Sequence, residues 1–156
     1  MPAPSRAPKS NNEPRLETLR TLVGYGLRRA AGRMMSDLRS TLSPLGLRPV
    51  LYAIIEMVRA EPGIIQMAVG TELGIQRANL VPLVNDLESR GLLERRVARH
   101  DRRAFALFLT AAGRELHEKA TRLILDHEER TVGGLSPAER DTLLKLLDRV
   151  AMDKGS

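Results

Sequence analysis

The densest run of charge in this 156-residue chain is a stretch of nine residues that holds five arginines and one acid. The arginines are Arg95, Arg96, Arg99, Arg102 and Arg103, and the acid is Asp101. Guanidinium groups pair with phosphate oxygens through parallel hydrogen bonds, so this density beside apolar segments predicts an anion-binding element. A solvated charged face is the alternative. The stretch carries +4 and residues 1–40 carry +5, while the rest of the chain is slightly acidic and the net charge is +6.

The residue types that enzymes and metal sites use are absent or badly spaced. Cysteine is missing, which excludes disulfides, thiolate zinc sites and thiol nucleophiles. No His-Glu-x-x-His motif and no glycine-rich phosphate loop before a helix occurs. His117 and His127 would lie roughly 280° apart around one helix, so they cannot share a metal. His127 with its acidic neighbours Asp126, Glu128 and Glu129 could contribute to a metal site, but we favour the alternative, a solvated charged helix face. We predict no enzyme, no catalytic residue, no metal and no cofactor.

Composition also limits the partners. The aromatic residues are too few for a platform that stacks single-stranded nucleic acid; they are Tyr25, Tyr52, Phe105 and Phe108. No apolar run approaches the ~18 residues that span a membrane, and the proline-rich N-terminus has no apolar stretch of the secretory kind. We therefore expect a cytoplasmic protein without membrane contact, with a disordered basic and proline-rich arm over residues 1–14.

Apolar periodicity and turn signals give the order of the elements. The predicted helices span about 15–41, 50–60, 66–73, 76–90, 110–131 and 136–150, and the predicted strands span 92–97 and 104–109. Thr110 is expected to cap the fifth helix, and Ser136-Pro137-Ala138-Glu139 is a capping box that begins the sixth. The arginine-rich stretch becomes the loop of a hairpin. The centre of the chain is thus a helix-turn-helix followed by a basic wing, an arrangement that docks on duplex DNA.

Specific motifs add to this geometry. They are Leu73-Gly74-Ile75, then Leu80, Leu83, Val84 and Leu87-Glu88, then Gly91-Leu92-Leu93 with Arg95, then Asp101-Arg102-Arg103, then Leu107 and Leu109-Thr110-Ala111-Ala112-Gly113. Together they resemble the MarR family of transcriptional regulators, and the resemblance covers roughly residues 15–153. The Gly-Leu-Leu-x-Arg step, the Asp-Arg-Arg wing and the Leu-Thr-x-x-Gly segment carry most of the specificity.

The resemblance implies an α+β, mostly helical fold in a single domain over residues 15–154. A winged helix-turn-helix core at about 45–110 would lie between N- and C-terminal dimerisation helices at about 15–41 and 111–154. The resemblance also implies a homodimer that binds palindromic double-stranded DNA, commonly as a repressor. A small, frequently aromatic ligand would release it.

The fourth helix, over residues 76–90, is expected to enter the major groove. At about 100° per residue it turns four apolar residues inward, namely Leu80, Leu83, Val84 and Leu87. Gln76 and Arg77 at its start and Asn79 and Asn85 on its outer face are candidate base contacts, because arginine suits guanine and asparagine suits adenine. Solvated surface polarity is the alternative for the two asparagines. Pro82 favours a kink, so part of the specificity is expected to come from DNA shape.

The wing offers a second set of contacts. Arg102 or Arg103, together with Arg99, is expected to reach the minor groove or its phosphates, and Asp101 is expected to hold the hairpin by pairing with a neighbouring arginine. Arg95 lies on the strand, where it would line the DNA backbone. Gln66 begins the third helix and is a candidate phosphate contact through that helix N-terminus.

The resemblance places a ligand site between the first, second and fifth helices. The positions that would line it are Tyr25, Arg29, Met34, Tyr52 and His117. The tyrosines and the methionine suit an aromatic group, with ordinary core packing as the alternative, and the arginine suits a carboxylate or phosphate. Arg28, Arg29, Arg33 and Arg39 crowd the first helix, a density that would suit the phosphates of an acyl-CoA thioester or equally of DNA.

We therefore predict a sequence-specific repressor released by an aromatic acid or an aromatic acyl-CoA thioester. A winged-helix DNA-binding protein without an effector is one alternative. A protein-interaction module that retains the winged-helix shape is another, and the five arginines of the wing argue against it.

Overall fold

The computed structural model describes residues 16–98 and 103–152. Its helices are α1 (Leu16–Arg20), α2 (Val23–Leu42), α3 (Pro49–Ala60), α4 (Gln66–Glu72), α5 (Arg77–Ser89), α6 (Ala111–Val132) and α7 (Pro137–Met152), with a 3-10 turn at Ser43–Leu45. The strands β1 (Leu93–Val97) and β2 (Phe105–Leu109) form an antiparallel hairpin. The predicted α+β, mostly helical fold with a winged helix-turn-helix is confirmed.

The described chain divides into two compact units, one that ends at Arg33 and one that begins at Met34. The first unit contains α1 and the start of α2, where the sequence predicted one uninterrupted helix. The interruption falls at Thr21, whose hydroxyl donates to the carbonyl oxygen of Thr18 at 2.8 Å. Such a side-chain bond competes with the backbone ladder, because it offers the carbonyl an alternative partner.

The core of the second unit is built around α3. Its buried residues recur at three- and four-residue spacing and are Leu51, Ile54, Ile55 and Val58. The hairpin adds Leu93 and Leu107, and α5 adds Leu80, Val84 and Leu87. Because the same core receives side chains from α3, α5 and both strands, the helix-turn-helix and the root of the hairpin are held by one hydrophobic cluster.

The residues of β1 become less buried from the start of the strand to its end. Exposure along β1 rises from 2% for Leu93 to 58% for Val97, which pairs with Phe105 near the loop. The segment before α4 joins the sheet edge, since the N–H of Leu107 donates to the carbonyl oxygen of Ile64 at 3.0 Å. The root of the wing is therefore fixed from two sides, while the end of β1 at Val97 is exposed.

The last two helices begin at the capping residues that the sequence predicts. The hydroxyl of Thr110 accepts from the N–H of Gly113 at 3.0 Å. Ser136 and Glu139 form a reciprocal box, with Ser136 N–H to Glu139 Oε2 at 2.8 Å and Glu139 N–H to Ser136 Oγ at 3.4 Å. The bonds from Ser136 hold the pKa of the Glu139 carboxyl below its ordinary value.

Helix α7 buries none of its residues in the single chain. Its exposed apolar side chains are Leu143, Leu144, Leu146, Leu147, Val150 and Met152. A run of apolar residues this extensive on one surface helix is typical of a protein–protein contact.

Among the described residues, no single helix is long and apolar enough to cross a membrane. The bent pair Val23–Leu45 and Pro49–Ala60 meets those limits only when its two helices are taken together, and α3 within that pair is a core helix.

Candidate nucleic-acid interface

Helices α4 and α5 form the helix-turn-helix, and they approach each other closely at Gly70. A β-carbon at this position would lie 3.0 Å from the carbonyl oxygen of Ile75 and 3.1 Å from Leu80 Cδ2. The N–H of Ile75 donates to the carbonyl oxygen of Gly70 at 2.8 Å, which closes the turn. The absence of a side chain at residue 70 therefore sets the distance between the two helices.

The orientation of α5 agrees with the predicted inward face. Leu80, Val84 and Leu87 are at most 2% exposed, and Leu83 packs against the same core. The residues left exposed along α5 are Arg77, Ala78, Asn79, Pro82, Asn85, Glu88 and Ser89, with Gln76 exposed at the N-cap. The helix is continuous through Pro82, and because Pro82 is exposed, the hydrogen bond that its nitrogen cannot donate is missing on the solvent side. Base contacts from this face stay a prediction.

Two of the predicted DNA-binding residues bond to each other. Arg95 Nη2 donates to the amide oxygen Oδ1 of Asn85. The same Nη2 lies 3.6 Å from Glu88 Oε2, and the Arg95 side chain is only 19% exposed. Both polar groups are therefore engaged within the protein, an arrangement that the sequence did not indicate.

The other described arginines of the wing differ in their surroundings. Arg96 pairs with Glu94, and its guanidinium carbon lies 4.3 Å above the ring of Phe108. Arg103 is exposed. The predicted contacts Arg99 and Arg102 and the structural Asp101 lie outside the described residues.

A cavity of about 490 Å³ separates the hairpin from α4 and the first half of α5. Gln66, Arg77, Leu80, Arg95, Arg103 and Phe105 are among its lining residues. Within the part of the chain that the structure describes, Gln66 Oε1 and Arg95 Nε are buried without a hydrogen-bond partner. Gln66 is the first residue of α4, as predicted, and its contact with a phosphate stays a prediction.

The predicted ligand residues fall in both units. In the first, the guanidinium carbons of Arg28 and Arg29 lie 5.2 and 5.8 Å from the ring centre of Tyr25. Cations at these distances from the Tyr25 ring are attracted to its face. In the second unit, Met34 is half-buried.

Tyr52 and His117, also in the second unit, stack on each other. Their ring centres are 5.6 Å apart and their planes differ by 8°. The Tyr52 hydroxyl lies 3.1 Å from Thr121 Oγ1, and Thr121 in turn donates to the carbonyl oxygen of His117 at 2.9 Å. Because the Thr121 proton is used there, Tyr52 is the donor in the first bond.

Glu56 completes this cluster, although sequence reasoning missed it. Its carboxylate contacts the buried His117 Nε2, and since a carboxylate only accepts, that nitrogen carries the hydrogen. Arg59, and to a smaller extent His117, hold the pKa of Glu56 below its ordinary value against the opposing effect of burial. Tyr52 and Glu56 are four residues apart on α3, as are His117 and Thr121 on α6, and that matched spacing is the signal that could have found the cluster.

The interpretation of His127 as part of a solvated face is wrong. The residue is 2% exposed, and its Nε2 lies 3.3 Å from Asp37 Oδ2 on α2, beside Arg130 at 3.7 Å from the same oxygen. Whether His127 is buried depends on which side of α6 packs against α2. The acidic residues next to His127 in the sequence favoured an exposed face instead. Across the described residues, no group of three or more His, Asp or Glu side chains is arranged to hold a metal.

Comparison with known proteins agrees with this arrangement. Residues 45–104 match the model of the MarR family. A candidate transcriptional regulatory protein for the hcr operon of Thauera aromatica is 31% identical over 131 residues, which cover 82% of this chain and 78% of the relative.

Two solved structures of a transcriptional repressor, CouR, have the same fold. CouR bound to a 23-mer DNA duplex superimposes with a TM-score of 0.84 at 36% identity and covers 89% of this chain and 99% of its own. CouR bound to p-coumaroyl-CoA gives a TM-score of 0.80 at 34% identity, with 90% and 99% covered.

Proposed function

The chain belongs to the MarR family of transcriptional regulators, and we propose that it is a repressor that binds palindromic double-stranded DNA as a homodimer and that a small aromatic ligand releases it. The proposal gives the chain no catalytic role and no cofactor. A repressor of this kind works on chromosomal DNA, and we accordingly propose a cytoplasmic location.

One observation carries the DNA-binding part, namely the way in which α5 is held. Burial of Leu80, Val84 and Leu87 in the core leaves the opposite face of the helix free, with Arg77 and Asn79 exposed near its start. A major groove about 12 Å wide admits one α-helix, and N-terminal residues of such a helix contact bases first. The basic hairpin that follows supplies charge for the phosphates alongside.

The homodimer is supported by α7. A helix with no buried residue contributes no core to its own chain, so its leucines gain burial only from a partner. A second copy of this chain is the partner that fits palindromic DNA, because the two-fold symmetry of such an operator matches the two-fold symmetry of a homodimer.

The ligand part is supported by the relative CouR, which is known bound to p-coumaroyl-CoA. Each unit, taken by itself, carries groups that suit such a molecule. The first has two guanidinium groups over the ring of Tyr25, and the second has the stacked pair of Tyr52 and His117. An aromatic acyl-CoA thioester presents an aromatic ring and phosphates, and these are the groups that rings and guanidinium ions bind.

DNA binding is tested by selection from genomic DNA. Fragments retained by the purified protein would be sequenced and footprinted, and we expect a palindrome whose half-sites lie about 10–10.5 base pairs apart or a multiple of that. A variant with Arg77→Ala and Arg103→Ala serves as the control and should retain these fragments less. Enrichment of no fragment over the genomic background would leave the protein-interaction module as the better description.

Effector binding is tested separately by calorimetry. Benzoate, benzoyl-CoA and unacylated CoA would be titrated into the free protein and into its complex with the selected duplex. We expect heat from an aromatic probe and release of the duplex, with CoA alone much weaker. Absence of heat from both aromatic probes would remove the ligand from the proposal and leave a DNA-binding protein without an effector of this class.

A further inference from the structure

Arg95 connects the wing to the recognition helix α5 through three contacts. Its Nη2 donates to Asn85 Oδ1 and lies 3.6 Å from Glu88 Oε2. Its backbone N–H donates to Glu88 Oε1 at 3.3 Å. Asn85 and Glu88 are three residues apart and therefore share one side of α5. A single residue of β1 thus holds the last turns of the helix through both its main chain and its side chain.

The position of Arg95 along the strand explains its burial. Alternate residues of a strand share a face, so Leu93, Arg95 and Val97 point the same way. Leu93 is 2% exposed in the core and Val97 is 58% exposed in solvent. Arg95 lies between them with 19% of its side chain exposed, against 59% for the adjacent Arg96 on the other face. Of these two neighbouring arginines, Arg96 therefore has the more exposed side chain.

The cavity shows where the contacts of Arg95 with Asn85 and Glu88 are needed to join the wing to α5. Over the first half of α5, about 490 Å³ separates the helix from the hairpin, so the apolar core does not fix the wing there. Beyond the root at Leu93, the bonds from Arg95 to Asn85 and Glu88 are the described polar contacts between β1 and α5. These contacts therefore hold the wing against α5 beyond the root that the core and the segment before α4 already fix.

We propose that Arg95 is a positioning residue that sets the wing against the recognition helix through Asn85 and Glu88, and that it does not contact DNA itself. This inference rests on the proposed DNA-binding function. It reverses the expectation from the sequence, where Arg95 lines the DNA backbone and Asn85 reads a base.

The direction in which a Glu88 variant changes DNA affinity distinguishes a positioning role of Glu88 from an effect of its charge alone. Removing an acid beside a DNA-binding surface strengthens binding if charge alone matters, because the repulsion of phosphates is reduced. If Glu88 holds Arg95, then Glu88→Ala weakens binding to the selected duplex by about tenfold, equivalent to about 1.4 kcal/mol. Glu72→Ala, which removes an exposed acid at the end of α4, is the matched control and should leave affinity unchanged or slightly tighter. Tighter binding by Glu88→Ala would overturn the proposal.

The pair is tested further by a double-mutant cycle on Arg95→Met and Glu88→Ala. Residues that act through each other give non-additive losses, so the double variant should bind no more weakly than the worse single variant. The slope of log K against log salt should stay at the wild-type value for Arg95→Met. If Arg95 instead bound a phosphate directly, the effects would be additive and the slope would shrink by about 0.9 for each phosphate that is no longer neutralised.

Arg95→Lys separates geometry from charge in a variant that keeps the cation. Lysine binds phosphate as a point charge but lacks the planar fork that reaches two acceptors. We expect Arg95→Lys to lose affinity as Arg95→Met does, whereas Arg96→Lys retains it. Recovery of wild-type affinity in Arg95→Lys would show that the charge acts on DNA, and the proposal would fail.

A measurement without DNA keeps this test distinct from that of the proposed function. In the free full-length protein, amide hydrogen exchange in β1 should accelerate in Arg95→Met and Glu88→Ala and stay unchanged in Glu72→Ala. If the wild-type protein binds no duplex while the exchange result holds, the proposed function fails and the positioning role of Arg95 within the protein stands. Unchanged exchange in β1 together with wild-type DNA binding in both variants overturns the positioning role alone.

Discussion

Gly113 lies so close to Leu92 that a β-carbon at residue 113 would be 1.9 Å from the carbonyl oxygen of Leu92. The same oxygen accepts from the N–H of Thr110 at 3.2 Å, and the Thr110 hydroxyl donates to the carbonyl oxygen of Gly91 at 2.7 Å. The start of α6 is thereby joined to the point where the recognition helix ends and the wing begins. The Leu-Thr-x-x-Gly spacing therefore has a physical cause in this chain.

Gly113→Ala should destabilise the protein strongly, because a contact of 1.9 Å with main-chain oxygen is relieved only if α6 or β1 moves. Overpacking of this kind costs about 1–3 kcal/mol or more, and we expect the upper end of that range in urea denaturation. Gly134→Ala is the matched control, since a β-carbon there meets nothing within 4 Å. Equal stability of the two variants would contradict the close approach.

Arg103→Ala should weaken operator binding at low salt and reduce its salt dependence. If each subunit of the dimer neutralises about four phosphates, the slope of log K against log salt approaches about −7, and one phosphate fewer in each subunit reduces its magnitude by about 1.8. Titrations of a labelled operator duplex at several salt concentrations give both quantities. An unchanged affinity and slope would remove Arg103 from the interface.

Arg77→Ala should change selectivity more than salt dependence. A bidentate arginine–guanine pair contributes about 1–3 kcal/mol of discrimination at one base position. The variant should therefore bind the operator and a duplex altered at the base that Arg77 contacts with equal affinity. Its preference for the operator base at other positions should stay as in the wild type. A uniform loss over all duplexes, with a reduced salt slope, would assign Arg77 to the phosphate backbone.

The helix-turn-helix and the wing could be predicted because their signals are local. Apolar spacing placed α5 within one residue at each end, and Thr110 and Ser136 marked the starts of the last two helices. The contact of Arg95 with Asn85 and the burial of His127 against Asp37 could not be predicted, because each depends on how separate elements pack. Charge density alone grouped Arg95 with Arg96, whose side chain is 59% exposed.

Glu56→Gln should lower stability at neutral pH and lose that effect in acid. The pKa of Glu56 is held below its ordinary value of 4.5, first by the bond from Arg59. A carboxyl with a depressed pKa in the folded state stabilises it above the unfolded value, and that contribution is lost as pH falls through the folded pKa. Since Glu56 is partly exposed, we expect at most about 1 kcal/mol. Urea denaturation at a series of pH values should show the curves of variant and wild type converging below pH 4.5; a gap that persists or widens there would contradict this role.

Leu144→Glu should separate the proposed dimer and weaken operator binding together. Leu144 is 62% exposed in the single chain, and burying a leucine against a partner contributes about 1.5–3 kcal/mol, which a charged replacement removes and opposes. Sedimentation equilibrium should show a shift to monomer, and the affinity for the palindrome should fall because one half-site contact replaces two. Lys145→Gln changes the neighbouring residue, whose ammonium pairs with Asp141 at 2.6 Å, and it should leave both measurements near wild type. A Leu144→Glu protein that stays dimeric would place the interface elsewhere, and one that becomes monomeric yet binds the full palindrome unchanged would contradict the two-fold mode of binding.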